Sequence, residues 1–292
     1  MSIKNSLIYH FLKFYKHNKI LKNVIDKGFI SKLNKPFPPK SMYKKYHIQT
    51  YQILYNTNHL ITPKGKVRDV SILYFHGGGY INDLFSTHWR FFKEIINKTS
   101  VSLTAVRYPL APNSNHKDVF DSSTLTYLDW IQRNEGKKLI LMGDSAGGGL
   151  ALALAMWARD NNYTKVNQLI LISPWLDVSM SNLTIKKVDR KDPLLSVDDL
   201  KKAGLWFASK ESVKDPYISP IYGKHNDLPN ISLFTGTADI LYPDIDLFSK
   251  KIKPDKIKYY VYEKMIHDFV LFKTVESVVA SEDIISEVTK EI

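Results

Sequence analysis

Short β-branched runs alternate with helical patterns along most of this chain, and no other feature limits its fold as much. Residues 47–55, 70–75, 101–106, 139–142, 169–172, 231–234 and 257–262 read as strands. Residues 89–98, 119–133, the stretch after 142 through about 159, and about 277–291 read as helices. Parallel neighbours in a sheet must be joined by a connection that travels back along its length, and a helix does this best. The predicted class is therefore α/β, a mostly parallel central sheet with helices on both faces. Such sheets gather their working loops at the carboxyl ends of the strands.

A length of 292 residues suits one such domain plus a smaller attached element. With no cysteine, disulfides, thiolate metal sites and a cysteine nucleophile are excluded. The formal net charge of +12 comes from lysines spread along the chain without a nucleic-acid-binding signature, so no nucleic-acid partner is expected. Residues 1 to about 30 read as one or two amphipathic helices, with Ile3, Leu7, Phe11, Phe14, Leu21, Val24 and Ile25 near helical spacing. Pro36, Pro38 and Pro39 mark a linker. The expected organisation is N-terminal helices and linker over 1–40, then one catalytic domain over 41–292. No stretch reads as a transmembrane helix or a signal peptide, and the expected location is cytoplasmic.

Gly143-Asp144-Ser145-Ala146-Gly147 lies between the apolar strand 138–142 and the helix 148–159. This is the strand–turn–helix setting that a G-x-S-x-G nucleophile requires. The sharp turn lifts the serine hydroxyl above the sheet, and side chains two residues to either side would collide with it. The helix that follows turns its free N–H groups toward a reacting carbonyl. A second glycine-rich strand end, His76-Gly77-Gly78-Gly79, offers backbone N–H groups that a substrate oxygen can approach. With the N–H of Ala146 they form a candidate oxyanion hole. His76 is read as structural, holding this loop by a hydrogen bond.

A nucleophilic serine needs a histidine to take its proton, and the histidine needs an acid to fix its tautomer. Beyond Ser145 only His225 and His267 remain. His225 sits in a polar loop and reads as solvated, whereas His267 follows the strand 257–262 and is the candidate base. Four carboxylates are in range: Asp239, Asp244, Asp246 and Asp268. Asp239 follows the strand before the histidine's strand. Asp244 and Asp246 read as the solvated face of a helix, and Asp268 is so close to His267 in sequence that pairing looks awkward. Activity is expected to fall in acid with an apparent pKa of roughly 6–7 as the base protonates.

Seven ordered motifs between about 70 and 269 resemble the hormone-sensitive lipase family of α/β-hydrolase esterases. They are His76-Gly77-Gly78-Gly79, Arg107-Tyr108-Pro109-Leu110-Ala111-Pro112, Gly143-Asp144-Ser145-Ala146-Gly147-Gly148, Ser173-Pro174-Trp175-Leu176-Asp177, Asp215-Pro216-Tyr217-Ile218-Ser219-Pro220, Gly236-Thr237-Ala238-Asp239-Ile240-Leu241 and His267-Asp268-Phe269. The resemblance implies the α/β-hydrolase fold and the triad Ser145, Asp239 and His267. It implies oxyanion donors from Gly78, Gly79 and Ala146, and a helical cap made from the N-terminus and an insertion at about 180–215. It also implies a serine carboxylesterase that cleaves short- to medium-chain esters through an acyl-enzyme, with no metal or cofactor. Departures from the family pattern at Asn113, Lys117 and Gly149 bear on substrate shape rather than mechanism.

Two alternatives remain open at this point. An amidase or deformylase would use the same triad. A non-catalytic binding module resembling the plant gibberellin receptors would lack the catalytic histidine, which is present here. The partner implied is a small ester. Membrane contact through residues 1–35, which hold eight lysines and one aspartate, is a further possibility ranked below the cap role.

Overall fold

The computed structural model describes residues 34–189 and 191–291. Its strands are β1 (Tyr46–Ile53), β2 (Asn56–Pro63), β3 (Val70–Phe75), β4 (Ser102–Arg107), β5 (Lys138–Asp144), β6 (Gln168–Ile172), β7 (Asn230–Gly236) and β8 (Ile257–Tyr262). They form one sheet in the order β1-β2-β4-β3-β5-β6-β7-β8. β2 runs antiparallel to both β1 and β4, and every other pairing is parallel.

The central strands are buried on both faces, and their side chains alternate between two cores. Leu73, Phe75, Leu139, Leu141, Leu169, Leu171 and Leu233 point to one face. Ile72, Tyr74, Ile140, Met142, Ile170, Ile172 and Phe234 point to the other. That is the period of two expected of a pleated strand, here apolar on both sides because helices cover both. The first core is closed by helices α2 (His116–Arg133), α3 (Ser145–Asp160) and α5 (Tyr242–Ser249), the second by α1 (Ser86–Thr99) and α6 (Val275–Thr289). The segment between β6 and β7 carries helix α4 (Val197–Ala208), which buries Leu200, Ala203 and Phe207 against the first core. Phe207 stacks face to face on Tyr80, with ring centroids 3.6 Å apart.

The strand expected over 47–55 covers β1 and the turn after it, and β2 has no counterpart in the sequence reading. The turn of this hairpin is Leu54-Tyr55, with Leu54 at φ +49°, and neither residue is a turn former. Asn56 and Asn58 of β2 are buried, so the strand also lacks an apolar alternation. The linker is pinned to the body: the Lys35 N–H donates to the Leu84 carbonyl, and the Lys35 carbonyl accepts the Trp89 indole N–H at 2.6 Å. The amphipathic helices expected before it lie outside the described residues. Among the described residues no helix is long and apolar enough to cross a membrane.

Candidate active site

Strand order brings the working loops together. β3, β5, β6, β7 and β8 are consecutive neighbours, all parallel, so their carboxyl ends form one edge. The glycine loop leaves β3, Ser145 follows β5, Asp239 follows β7, and His267 follows β8.

Ser145 is the first residue of α3 and holds φ +49°, a left-handed conformation that is costly for a residue with a Cβ. The turn is tight because the start of α3 presses on the end of β3. A Cβ at Gly147 would overlap the Phe75 carbonyl oxygen. The Ser145 Oγ lies 2.9 Å from His267 Nε2. His267 Nδ1 lies 3.1 Å from both carboxylate oxygens of Asp239. The three side chains thus form one hydrogen-bonded row, almost fully buried. Backbone lacing holds two of the loops in register. The Ala238 N–H donates to the Met265 carbonyl at 2.9 Å, and the Thr237 N–H to the Tyr262 carbonyl at 3.0 Å. Asp239 also accepts the Leu241 N–H at 2.8 Å, which fixes its carboxylate.

A cavity of about 330 Å³ opens above the row, lined by Ser145, His267, Gly78 and Gly79 together with Phe85, Leu194, Leu195, Leu200, Leu271 and Phe272, among others. Gly78 holds φ +120°, which a side chain would forbid. Ala146 does not line the cavity. Its side chain is buried in the first turn of α3, so it can offer only a backbone N–H, which at that position has no partner within the helix.

The sequence profile of the α/β-hydrolase fold family matches residues 72–271. The chain belongs to this family. Over 206 residues it is 28% identical to an esterase of Acinetobacter venetianus, covering 69% of this chain and 68% of that protein. It is similar to the crystal structure of a candidate esterase from Staphylococcus aureus, with a TM-score of 0.80, 27% identity, and coverage of 92% of this chain and 90% of that one. A hormone-sensitive lipase from a metagenome library shares the fold over 100% of both chains, with a TM-score of 0.85 and 21% identity.

In this α/β-hydrolase His76 and His225, the two other histidines weighed from the sequence, take structural positions. His76 stacks on Tyr108 (centroids 4.3 Å apart), and its Nδ1 lies 2.6 Å from the Gly77 carbonyl. Burial lowers its pKa to about 4, so it is neutral. His225, expected in solvent, is half-buried instead. Its Nε2 donates to the Pro220 carbonyl at 2.7 Å, and its ring packs edge-on against Phe248.

The carboxylates depart further from expectation. Asp246 is partly exposed and pairs with Lys250, but Asp244 is buried, accepts the Asn182 amide at 2.7 Å, and is pushed by burial up to about 6. Asp268, set aside as awkwardly placed, has its Oδ2 3.1 Å from His267 Nε2. Asp268 itself holds φ +49°, and this backbone turn directs its side chain at its neighbour's ring, which sequence adjacency alone does not reveal. Burial of His267 would by itself lower its pKa. The Asp239 and Asp268 carboxylates outweigh that and hold it well above 6.5.

Two more buried carboxylates, Asp144 and Asp192, support the site. Asp144 accepts the Tyr74 hydroxyl at 2.7 Å and His88 Nε2–H at 3.2 Å, while His88 Nδ1 accepts the Phe85 N–H at 2.9 Å. Asp192, from the insertion before α4, accepts the N–H groups of Ile240 (2.9 Å), Leu194 (2.7 Å) and Leu195 (3.2 Å). The run Asp192-Pro193-Leu194-Leu195-Ser196 carries a readable turn signal, an aspartate positioned to accept N–H groups two and three residues on. Nothing in the sequence pairs His88 with Asp144. Among the described residues no group of three or more acidic or histidine side chains is arranged to hold a metal ion.

Proposed function

We propose that this α/β-hydrolase is a carboxylic ester hydrolase that works through a serine acyl-enzyme. Ser145 attacks the ester carbonyl while His267 takes its proton. Asp239 holds the ring in the tautomer that leaves Nε2 free to accept, and stabilises the imidazolium that forms. The anion of the tetrahedral intermediate is met by the N–H groups of Gly78, Gly79 and Ala146. The alcohol leaves with the proton from His267, and water then releases the acid by the same steps. The observation that carries this reading is the row of Ser145 Oγ, His267 and Asp239, at 2.9 and 3.1 Å, on the wall of a cavity.

The cavity supports the substrate class. A cavity of about 330 Å³ bounded by leucines and phenylalanines suits the apolar acyl chain of a carboxylic ester. The similarity to an esterase at 28% identity favours ester over amide cleavage.

Replacing Ser145 by Ala is expected to lower hydrolysis of a short p-nitrophenyl ester by about 10⁴-fold or more and to abolish labelling by a fluorophosphonate probe. A variant that keeps about a tenth of the wild-type rate would remove Ser145 from the mechanism. Parallel assays on matched ester and anilide substrates test the choice of ester over amide.

A further inference from the structure

The row does not account for Asp268. Two oxygens face the same nitrogen: Ser145 Oγ at 2.9 Å and Asp268 Oδ2 at 3.1 Å, both on His267 Nε2. A ring nitrogen has a single in-plane position, which either carries one proton or offers one lone pair. Asp268 therefore competes with the serine for the atom on which turnover depends.

Its surroundings sharpen the conflict. The carboxyl is only 16% exposed, and its Oδ1 is buried with no hydrogen-bond partner among the described residues. A carboxylate with a bare, buried oxygen is costly unless a cation or a proton compensates it. The charged groups that face the pair come from several elements. Asp239 follows β7 and touches Nδ1; Asp144 ends β5 and stands behind Asp268; Asp192 comes from the insertion and stands behind Asp239. Asp144 already has partners in Tyr74 and His88, and Asp192 in three backbone N–H groups, so neither relieves Asp268. The ring nitrogen that reaches Asp268 Oδ2 among the described residues is His267 Nε2, and the proton it can carry is the available donor.

We propose that Asp268 is a positioning residue that gates the base: in the resting enzyme its carboxyl and His267 Nε2 share one proton, and Ser145 can be deprotonated only after that proton is lost to solvent. Loss of the proton leaves a neutral imidazole whose lone pair points at the serine hydroxyl, beside an ionised Asp268. No bond other than the N–H or O–H is broken, and solvent takes the proton. The direction of both perturbations agrees with this. His267 is held well above 6.5, and burial with the Asp144 charge pushes Asp268 up to about 7, against the lowering effect of His267. Activity is therefore absent while the shared proton remains and rises with pH as it leaves.

This inference rests on His267 acting as the base for Ser145. The test is the pH profile of kcat/KM for p-nitrophenyl acetate, an uncharged substrate, on the full-length protein with Asp268→Asn and Asp268→Gly. Both replacements suit the positive φ at 268, and glycine removes its strain, so both are expected to fold. The acid limb is expected above the ordinary histidine range in the wild type. It should fall by about one pH unit in each variant, because one of the two carboxylates that stabilise the imidazolium is gone. A limb that moves by less than about 0.2 unit in both overturns the gate. Fluorophosphonate labelling separates the two levels. If it is intact while the limb stays in place, only the gate fails; if it is absent from the wild type, the serine mechanism beneath it fails as well.

Discussion

At the carboxyl edge of the sheet Ser145 (φ +49°), Ser173 (+42°) and Asp268 (+49°) hold a left-handed backbone, as do Tyr80 and Lys264 (both +61°) in the loops after β3 and β8. Ser145 and Asp268 line the cavity, and the Ser173 hydroxyl accepts the Asp268 N–H, so backbone strain is concentrated where the site is built. The strain at Ser145 persists because Gly147 lets α3 approach the end of β3 to within contact of the Phe75 carbonyl. Gly147→Ala should force that contact open by about 1 Å and carry Ser145 off His267 Nε2. Misplacement of that size reduces rate by about 100-fold, and the overpacking destabilises by about 1–3 kcal/mol. Paired measurements of kcat/KM and thermal midpoint check this. A variant within about threefold of wild-type activity would mean that the close approach does not hold the serine. The glycine spacing was legible in the sequence because the collision is local. The approach of Asp268 to His267 was not, since it depends on one backbone dihedral that adjacency in sequence does not fix.

At the scale of elements, the buried parallel strands were the legible part, because apolar runs covered on both faces stand out from what flanks them. β3 and β8 match their expected bounds, and β5 extends through Asp144. The hairpin was lost because two bulky residues make its turn and asparagines fill its second strand. Helix α6 was read from its periodicity, yet what fastens it was not. Glu287 is 1% exposed. It accepts hydrogen bonds from Gln168 of β6 at 3.1 Å, Ser232 of β7 at 2.8 Å and Tyr260 of β8 at 2.8 Å, and it pairs with Lys258 and Lys290. Burial would raise its pKa, but Lys290, Tyr260, Ser232 and Lys258 outweigh that and lower it from 4.5 to about 2. A depressed carboxylate contributes stability that is present above its unfolded pKa and lost as pH falls through the folded one. The Glu287 contribution is thus complete above about 4.5 and disappears toward about 2. Glu287→Gln should lower stability at neutral pH by about 2 kcal/mol, or about 4–8 °C in thermal midpoint. The gap between the proteins should narrow as pH drops from about 5 to about 2.5. An equal gap across that range would show that the charge of Glu287 plays no part.

For the whole molecule, chain order and sheet order together explain why three side chains 122 residues apart at the extremes meet. The order serine, aspartate, histidine was readable because each sits one short loop beyond a recognisable strand. How the segment between β6 and β7 docks was not readable, because docking is decided by single polar contacts rather than by periodicity. Asp192 is the contact that joins it to the site. One oxygen receives Leu194 and Leu195, which line the cavity, and the other receives Ile240, next to Asp239. Burial and the Asp239 charge push its carboxyl up to about 6, so it carries charge at neutral pH against its surroundings and is retained there by these N–H groups. Removing the carboxylate leaves three donors facing a void, while the row from Ser145 to Asp239 keeps its own bonds. Asp192→Ala should therefore loosen the leucine wall more than the chemistry: KM for a butyryl ester rises about tenfold while kcat changes less than about threefold. The same substitution should matter less for an acetyl ester, whose shorter acyl chain has less apolar surface to place against that wall. A fall in kcat with KM unchanged would instead place Asp192 among the groups that orient Asp239, and the segment would then act on the acid rather than on the acyl pocket.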